Sequence, residues 1–328
     1  MKHLLTAVIV VLVAVLLTIL IVPMVKYAQP VEVTIAVEPS LSAASITYAE
    51  AKSSIFPSQD VKVKAKIIVM DNPKQALDDL NQGKIQFALM PWPEALRWMD
   101  EHPKDTLRCI LSEEFKVGAP QDGIFARKGV KLDKITDLEG KKIGVSALTE
   151  LPMKAIIGSA QLNASKITIK LYPKDKLIPA LESGEVDLIY ALEPYFTEAL
   201  GKFGKPYDEG AMMPKWIKAP YWGSGLFVTP KYLKEHKLAV VRVNKGMEMT
   251  YDRIGKESDS ARIFAAKTLG ISDPKVTSNM NLTEIVRAQD MDAATIQDLS
   301  DKYEIYGVLK SINITEKKIL VPREDLRE

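Results

Sequence analysis

Short β-branched runs alternate with capped helical stretches along most of this chain, and that alternation restricts it to an α/β architecture. Residues 31–37 have the alternation and β-branching of a strand. Glu38-Pro39-Ser40 ends it, and 42–54 reads as helix. Residues 61–69 predict the next strand. Asn72-Pro73 then opens a helix through Leu80, since asparagine caps and proline fits a first turn. Asn81-Gln82-Gly83 stops it, glycine being the usual residue past a helix end. Residues 85–90 form a short apolar strand, and Pro91-Trp92-Pro93 starts a helix to Met99. Strand, helix, strand, helix, strand is the grammar of a mostly parallel sheet with helices on its faces.

The same grammar returns. A strand at 123–126, a helical turn at 132–138, strands at 143–145 and 167–171, and helices at 151–160 and 173–181 lead to a strand at 186–190. That strand ends at Glu193-Pro194, before a helix at 195–200. Residues 75–88 and 177–188 echo one another as helix, glycine cap and buried strand. After a strand at 226–229 helices dominate, with 282–288, 291–299 and 301–306 expected helical and Pro322-Arg323-Glu324-Asp325 in a solvated tail. In open α/β sheets ligands collect at strand carboxyl ends. The exits here are 38–42, 90–92, 146–149 and 191–194.

The amino terminus obeys a different rule. Residues 4–25 carry no charge and only Thr6, Thr18 and Pro23 interrupt them. At about 1.5 Å rise per residue this run reaches roughly 33 Å as a helix, enough to cross a bilayer core. It is longer than a signal-peptide core, and Lys26-Tyr27-Ala28-Gln29-Pro30 matches a cleavage site poorly. An uncleaved single-pass anchor is expected over 1–30, with the rest extracytoplasmic; a cleaved signal is the alternative. No second span follows, which excludes a pore or multi-span transporter.

Lys2 and Lys26 are the charged residues of this segment, so the remainder carries 42 of the 44 basic residues against 42 acidic ones. That balance argues against nucleic-acid binding. The single cysteine, Cys109, excludes an internal disulfide and lies too far in to carry a lipid. Asn163, Asn281 and Asn313 begin glycosylation-type triplets. His102 and His236 lie apart from any nucleophile or second histidine, and Gly-x-Ser-x-Gly, His-Glu-x-x-His and phosphate-loop patterns are missing. Neither catalysis, a cofactor nor a metal is expected.

The candidate ligand residues sit at the strand exits. Glu38 follows a buried strand; Ser40 and Ser42 offer hydroxyls or helix caps. Trp92, held between prolines, suits a cleft wall or a core. Ser146 and Thr149 lie past Gly144-Val145. Glu193 ends a buried strand, where a carboxylate needs a partner. Trp222 belongs to a group with Trp216, Tyr221 and Ser224. The set is acidic and aromatic, which favours a neutral or cationic ligand over an oxyanion, although backbone N–H groups with Arg127, Lys128 or Lys154 are an anion-binding alternative.

Asp122-Gly123-Ile124-Phe125-Ala126-Arg127-Lys128-Gly129 with Asp137-Leu138-Glu139-Gly140-Lys141-Lys142-Ile143-Gly144-Val145 resembles the middle of ABC-importer solute-binding proteins. Ala180-Leu181-Glu182-Ser183-Gly184-Glu185-Val186-Asp187, ending at Glu193-Pro194, is similar to their nitrate/sulfonate/taurine branch, the SsuA/THI5-like proteins. The resemblance implies a two-lobed periplasmic-binding-protein type II fold with two hinge crossings, near 122–127 and 225–229. It divides the chain into 31–123 and 226–328 for lobe one and 124–225 for lobe two. It implies a monomeric, non-enzymatic ectodomain that passes a small-molecule ligand to an ABC permease. The cysteine cluster and histidines of the pyrimidine-forming relatives are missing, so their activity is not implied. A membrane-anchored sensory or adaptor ectodomain is the alternative for the same fold.

Overall fold

In a computed structural model the described residues are 15–16, 27–38, 40–52, 54–310, 312–314 and 318–326. The apolar run at 4–25 falls outside them except for Val15 and Leu16, and among the described residues no helix is long and apolar enough to cross a membrane.

Two sheets organise the chain. The first contains β1 (Val31–Val37), β2 (Val63–Val69), β3 (Phe87–Pro91), β4 (Arg108–Phe115), β9 (Tyr221–Val228) and β10 (Glu284–Arg287), in the order β10-β4-β9-β3-β1-β2. The second contains β5 (Asp122–Ala126), β6 (Lys142–Val145), β7 (Thr168–Leu171) and β8 (Leu188–Leu192), in the order β5-β8-β6-β7. Strands β1, β2 and β3 run parallel, as do β6, β7 and β8, whereas β9 and β5 run antiparallel to their neighbours.

The side-chain period places β1 between two layers. Val33, Ile35 and Val37 face one apolar cluster, with Val240, Val243 and Met247 of helix α9 (Lys237–Lys256). Ala36 faces another, with Ala76, Leu77 and Leu80 of helix α2 (Pro73–Asn81). In α2 the spacing of those three residues is that of one helix face. Asn72 caps it by accepting from the Gln75 N–H at 3.2 Å, and Gly83 ends it at φ +76°. Each leucine so buried contributes about 1.5–3 kcal/mol.

The chain leaves the first sheet after Phe115, enters the second at Asp122, and returns to the first at Tyr221. Residues 122–126 form β5 of the second sheet, and residue 225 lies inside β9 of the first. Helix α1 (Leu41–Thr47) is shorter than expected and continues as a π-turn, Tyr48–Lys52.

One further expectation is corrected, and a strand is added. Residues 108–115, unassigned from sequence, form the interior strand β4. Residues 282–288, expected helical, contain β10, whose Ile285 and Val286 pair along the edge of β4. The expected solvated tail is exposed at Pro322, Arg323 and Glu324, while its neighbours are held: Val321 N–H donates to Cys109 O at 3.0 Å, and Ile319, Val321 and Leu326 are buried. Helix α12 (Ala293–Ile305) holds β9 through Tyr303, whose hydroxyl lies 2.8 Å from that of Tyr221. One apolar cluster runs from Trp92 and Phe227 of the first lobe through Tyr303 to Ile143 and Tyr190 of the second.

Candidate ligand-binding site

Strand ends from both sheets meet around one cavity, carboxyl ends for the most part and the amino end of the antiparallel β9. The first lobe supplies Glu38 after β1, Ser40 and Ser42 at the start of α1, Pro91 from β3, Phe115 from β4, and Tyr221, Gly223 and Ser224 from β9. The second supplies Leu148 after β6, Leu192 and Glu193 at the end of β8, and Met213 of helix α7 (Met212–Trp216). The cavity encloses about 40 Å³, within about 470 Å³ of atom-free space that includes its opening. By the first measure one water needs roughly 10–15 Å³, so this cavity holds only a few waters' worth of space. Glu38 and Leu148 also border a wider cleft of about 460 Å³, shared with Asp71, Ser146, Tyr172 and Lys174.

Glu38 is 3% exposed. Its Oε1 accepts from Ser224 Oγ at 3.0 Å, and its Oε2 has no hydrogen-bond partner among the described residues. Burial pushes its carboxyl above the usual range; the Lys174 charge and the Ser224 and Ser40 hydroxyls pull it partly back, although Ser40 Oγ does not reach hydrogen-bonding geometry with it. Lys174 Nζ is likewise unpartnered, and burial lowers its pKa.

Glu113 of β4 stands behind that position. Its Oε2 accepts from Ser42 Oγ and from Ser224 N–H at 3.3 Å. Its Oε1 is unpartnered and it borders a second small cavity behind α1 with Ser45 and Tyr251. Burial first, opposed by the Ser42 bond and reinforced by the Glu38 charge, pushes it up to about 7.

Glu193 is buried too, but its bonds are made. Oε1 accepts from Thr197 Oγ1 at 2.7 Å and Asn281 N–H at 3.0 Å; Oε2 accepts from Thr197 N–H at 3.2 Å. Thr197 lies in the first turn of helix α6 (Tyr195–Phe203), so Glu193 caps that helix and ties it to residue 281. Burial nevertheless raises its pKa to about 7. Asn281 is itself engaged, donating from Nδ2 to Pro120 O at 2.8 Å.

The structure sorts the remaining sequence candidates. Ser40 occupies the cap position of α1 yet makes no capping bond, and its hydroxyl is unpartnered beside the cavity. Ser42 lines it with its hydroxyl committed to Glu113. Trp92 is core rather than wall: it is fully buried, donates from Nε1 to Ser112 Oγ at 2.7 Å, and meets Phe227 edge-on. Trp222 donates to Thr295 Oγ1 at 3.1 Å and packs toward α12, outside the cavity. Thr149 accepts from Ser146 N–H at 2.9 Å and closes its own turn, while Ser146 reaches only the wider cleft. Arg127, Lys128 and Lys154 do not line the cavity: Arg127 faces Asp187, and Lys154 pairs with Glu150 at 2.7 Å.

Sequence reasoning missed Glu113, Gln121, Lys174 and Thr283. Glu113 was hidden because Arg108, Ser112 and Glu114 mask the strand period of β4; the apolar triplet Cys109-Ile110-Leu111 was the available signal. Among the described residues no cluster of histidine, cysteine and carboxylate side chains is disposed to hold a metal ion.

Comparison with known proteins then decides the family. The model of the NMT1/THI5-like family matches residues 44–261, more than half of the chain. The chain belongs to that family. A comparison with curated protein sequences finds no match. Among solved structures it is similar to the periplasmic aliphatic sulphonate-binding protein SsuA from Escherichia coli, at 17% identity over 90% of this chain and 93% of that one, TM-score 0.69. It is similar to the alkanesulfonate-binding SsuA from Xanthomonas axonopodis pv. citri bound to MOPS, at 14% identity over 90% and 99%, TM-score 0.70. The periplasmic nitrate-binding protein NrtA from Synechocystis PCC 6803 aligns at 9% identity over 91% and 87%, TM-score 0.69. At these identities the likeness is one of fold, and it confirms the α/β periplasmic-binding-protein architecture of this NMT1/THI5-like chain.

Proposed function

We propose that this protein is an extracytoplasmic receptor that captures a small solute between its two lobes and delivers it to an ABC permease. One observation carries the reading: strand ends from separate sheets converge on a cavity that contains a buried, half-partnered carboxylate, Glu38. A fold needs no such group for stability, because an unpaired buried carboxylate costs free energy. The family and the transport proteins among its structural neighbours support the same reading. Closure of the lobes would sequester the solute and present one liganded shape to the permease.

The receptor is monomeric and non-enzymatic on this reading. Residues 4–25 hold it to the membrane as a single span. The chain just past that run is fixed rather than slack: Arg242, buried on α9, donates to Tyr27 O at 2.6 Å and Gln29 O at 2.8 Å. The anchor would thus emerge directly from lobe one, keeping the receptor close to its permease.

Thermal-shift screening of the full chain in detergent against chemically diverse small solutes tests this function. A ligand at 100 times its Kd adds about 2.7 kcal/mol of stability, so a saturable rise in Tm is expected for at least one solute. A complete lack of stabilisation across such a screen contradicts the receptor reading.

A further inference from the structure

Two charged groups face the gap between the lobes without hydrogen-bond partners, and their arrangement is asymmetric. Glu38 lines the cavity, with its Oε2 buried and unpartnered, whereas Lys174 borders only the wider cleft. Among the described residues no lysine, arginine or histidine lines the cavity, while Glu193 does, and Glu113 lies one layer behind. An oxyanion entering there would meet two carboxyl groups, with Lys174 bordering only the wider cleft beside it. Beside them Phe115 and Tyr221 present their rings, with centroids 6.0 Å apart.

We infer that the cavity is built for a solute bearing a protonated amine, with its nitrogen on Glu38 Oε2 and its apolar body against Phe115 and Tyr221. This rests on the receptor reading and narrows it. The buried carboxylate supplies a strong acceptor beside the cavity that the protein leaves free among the described residues, and a charge-assisted N–H bond to it is stronger than a neutral one. Aromatic faces attract the same cation through their negative quadrupole. Lys174 serves as the counter-charge to Glu38 when the cavity lacks a cation: its charge is the largest influence opposing burial at that carboxyl. Displacement of the lysine from Glu38 by the entering amine would couple capture to the relative position of the lobes. The inference separates this chain from neighbours described as sulfonate- and nitrate-binding, with which it shares its fold at 17% identity or less.

The test uses the full chain in detergent. Tm is measured with methylammonium, ethylammonium and benzylammonium chlorides, sodium methanesulfonate and sodium nitrate, each against sodium chloride at equal ionic strength. A saturable rise with the ammonium salts is expected. It should vanish in Glu38→Gln, weaken several-fold in Phe115→Leu, and persist in the surface control Glu150→Gln. If Glu38→Gln does not fold, the Phe115→Leu titration decides by the same criterion. Stabilisation by methanesulfonate or nitrate and not by the ammonium salts overturns the amine assignment and leaves the receptor reading standing. So does an ammonium response that survives in both Glu38→Gln and Phe115→Leu. No response to any of these salts also overturns it, and only a further failure of the wide solute screen removes the receptor reading with it.

Discussion

Glu38 and Glu193 occupy equivalent places in their sheets, yet the protein treats them differently. Each ends a buried strand, each is nearly inaccessible, and each faces the same cavity. Glu193 accepts three hydrogen bonds from its own chain, including one from Asn281. Glu38 accepts one, from Ser224, and keeps an oxygen unpartnered. A carboxylate saturated by the protein has nothing left to offer a ligand and serves as a brace. One left half-saturated is a stability cost that binding can relieve. The contrast gives two carboxylates that look alike in sequence different hydrogen-bonding states.

The largest effect expected from breaking this contrast is at the brace. Glu193→Ala leaves the Asn281 and Thr197 donors buried without their acceptor, at roughly 1–3 kcal/mol for each. Denaturant unfolding should show a clear fall in midpoint; an unchanged midpoint would remove Glu193 from its bracing role. Glu38→Gln should shift the same midpoint far less, within about 1 kcal/mol, because it removes a desolvated acid that has only one bond.

The pH dependence is next in size. Glu113 and Glu193 are both raised from 4.5 to about 7. The native chain therefore keeps protons that the unfolded chain has already released between those values. Their contribution is fully present below about pH 4.5 and is lost as pH rises through about 7. Tm of the unliganded protein should fall across that window, and Glu113→Gln should flatten the fall. A Tm that climbs from pH 5 to 7 in the wild type, with no change in the variant, contradicts these assignments.

A smaller effect sharpens the cavity wall. A Cβ at Gly223 would meet Phe115 Cε1 at 2.6 Å, so Gly223→Ala must push that ring. The ring borders the cavity, and the substitution should weaken solute binding measured by calorimetry more than it lowers stability. The smallest effect belongs to the surface pair Glu150–Lys154: Lys154→Ala should cost below about 0.5 kcal/mol and leave binding unchanged.

Much of the scaffold was legible because its local rules agree with its packing. In α2 the asparagine cap, the first-turn proline, the spacing of Ala76, Leu77 and Leu80, and Gly83 all point one way. Strand β1 was legible with its bounds, since its β-branched Val33, Ile35 and Val37 recur on one buried face. Strand β4 was not, because its polar residues are committed to long-range bonds: Ser112 accepts from Trp92 of the core, and Glu113 accepts from Ser42 beside the cavity. Strand β10 read as helix because only pairing with β4 makes it a strand. For the site, the exit loops identified Glu38, Ser40, Ser42 and Glu193 as cavity neighbours. They could not separate Trp92 and Trp222, where a long-range bond to Ser112 or Thr295 turns the indole into core. Lys174 was hidden for the same reason, as its relation to Glu38 crosses from one lobe to the other.

The most direct measurement is a crystal structure of the full chain with the solute that stabilises it most. The account predicts that solute between the lobes, with a nitrogen within hydrogen-bonding distance of Glu38 Oε2 and its body against Phe115 and Tyr221. A solute bound elsewhere, or one that sets an acidic oxyanion beside Glu38, would contradict it.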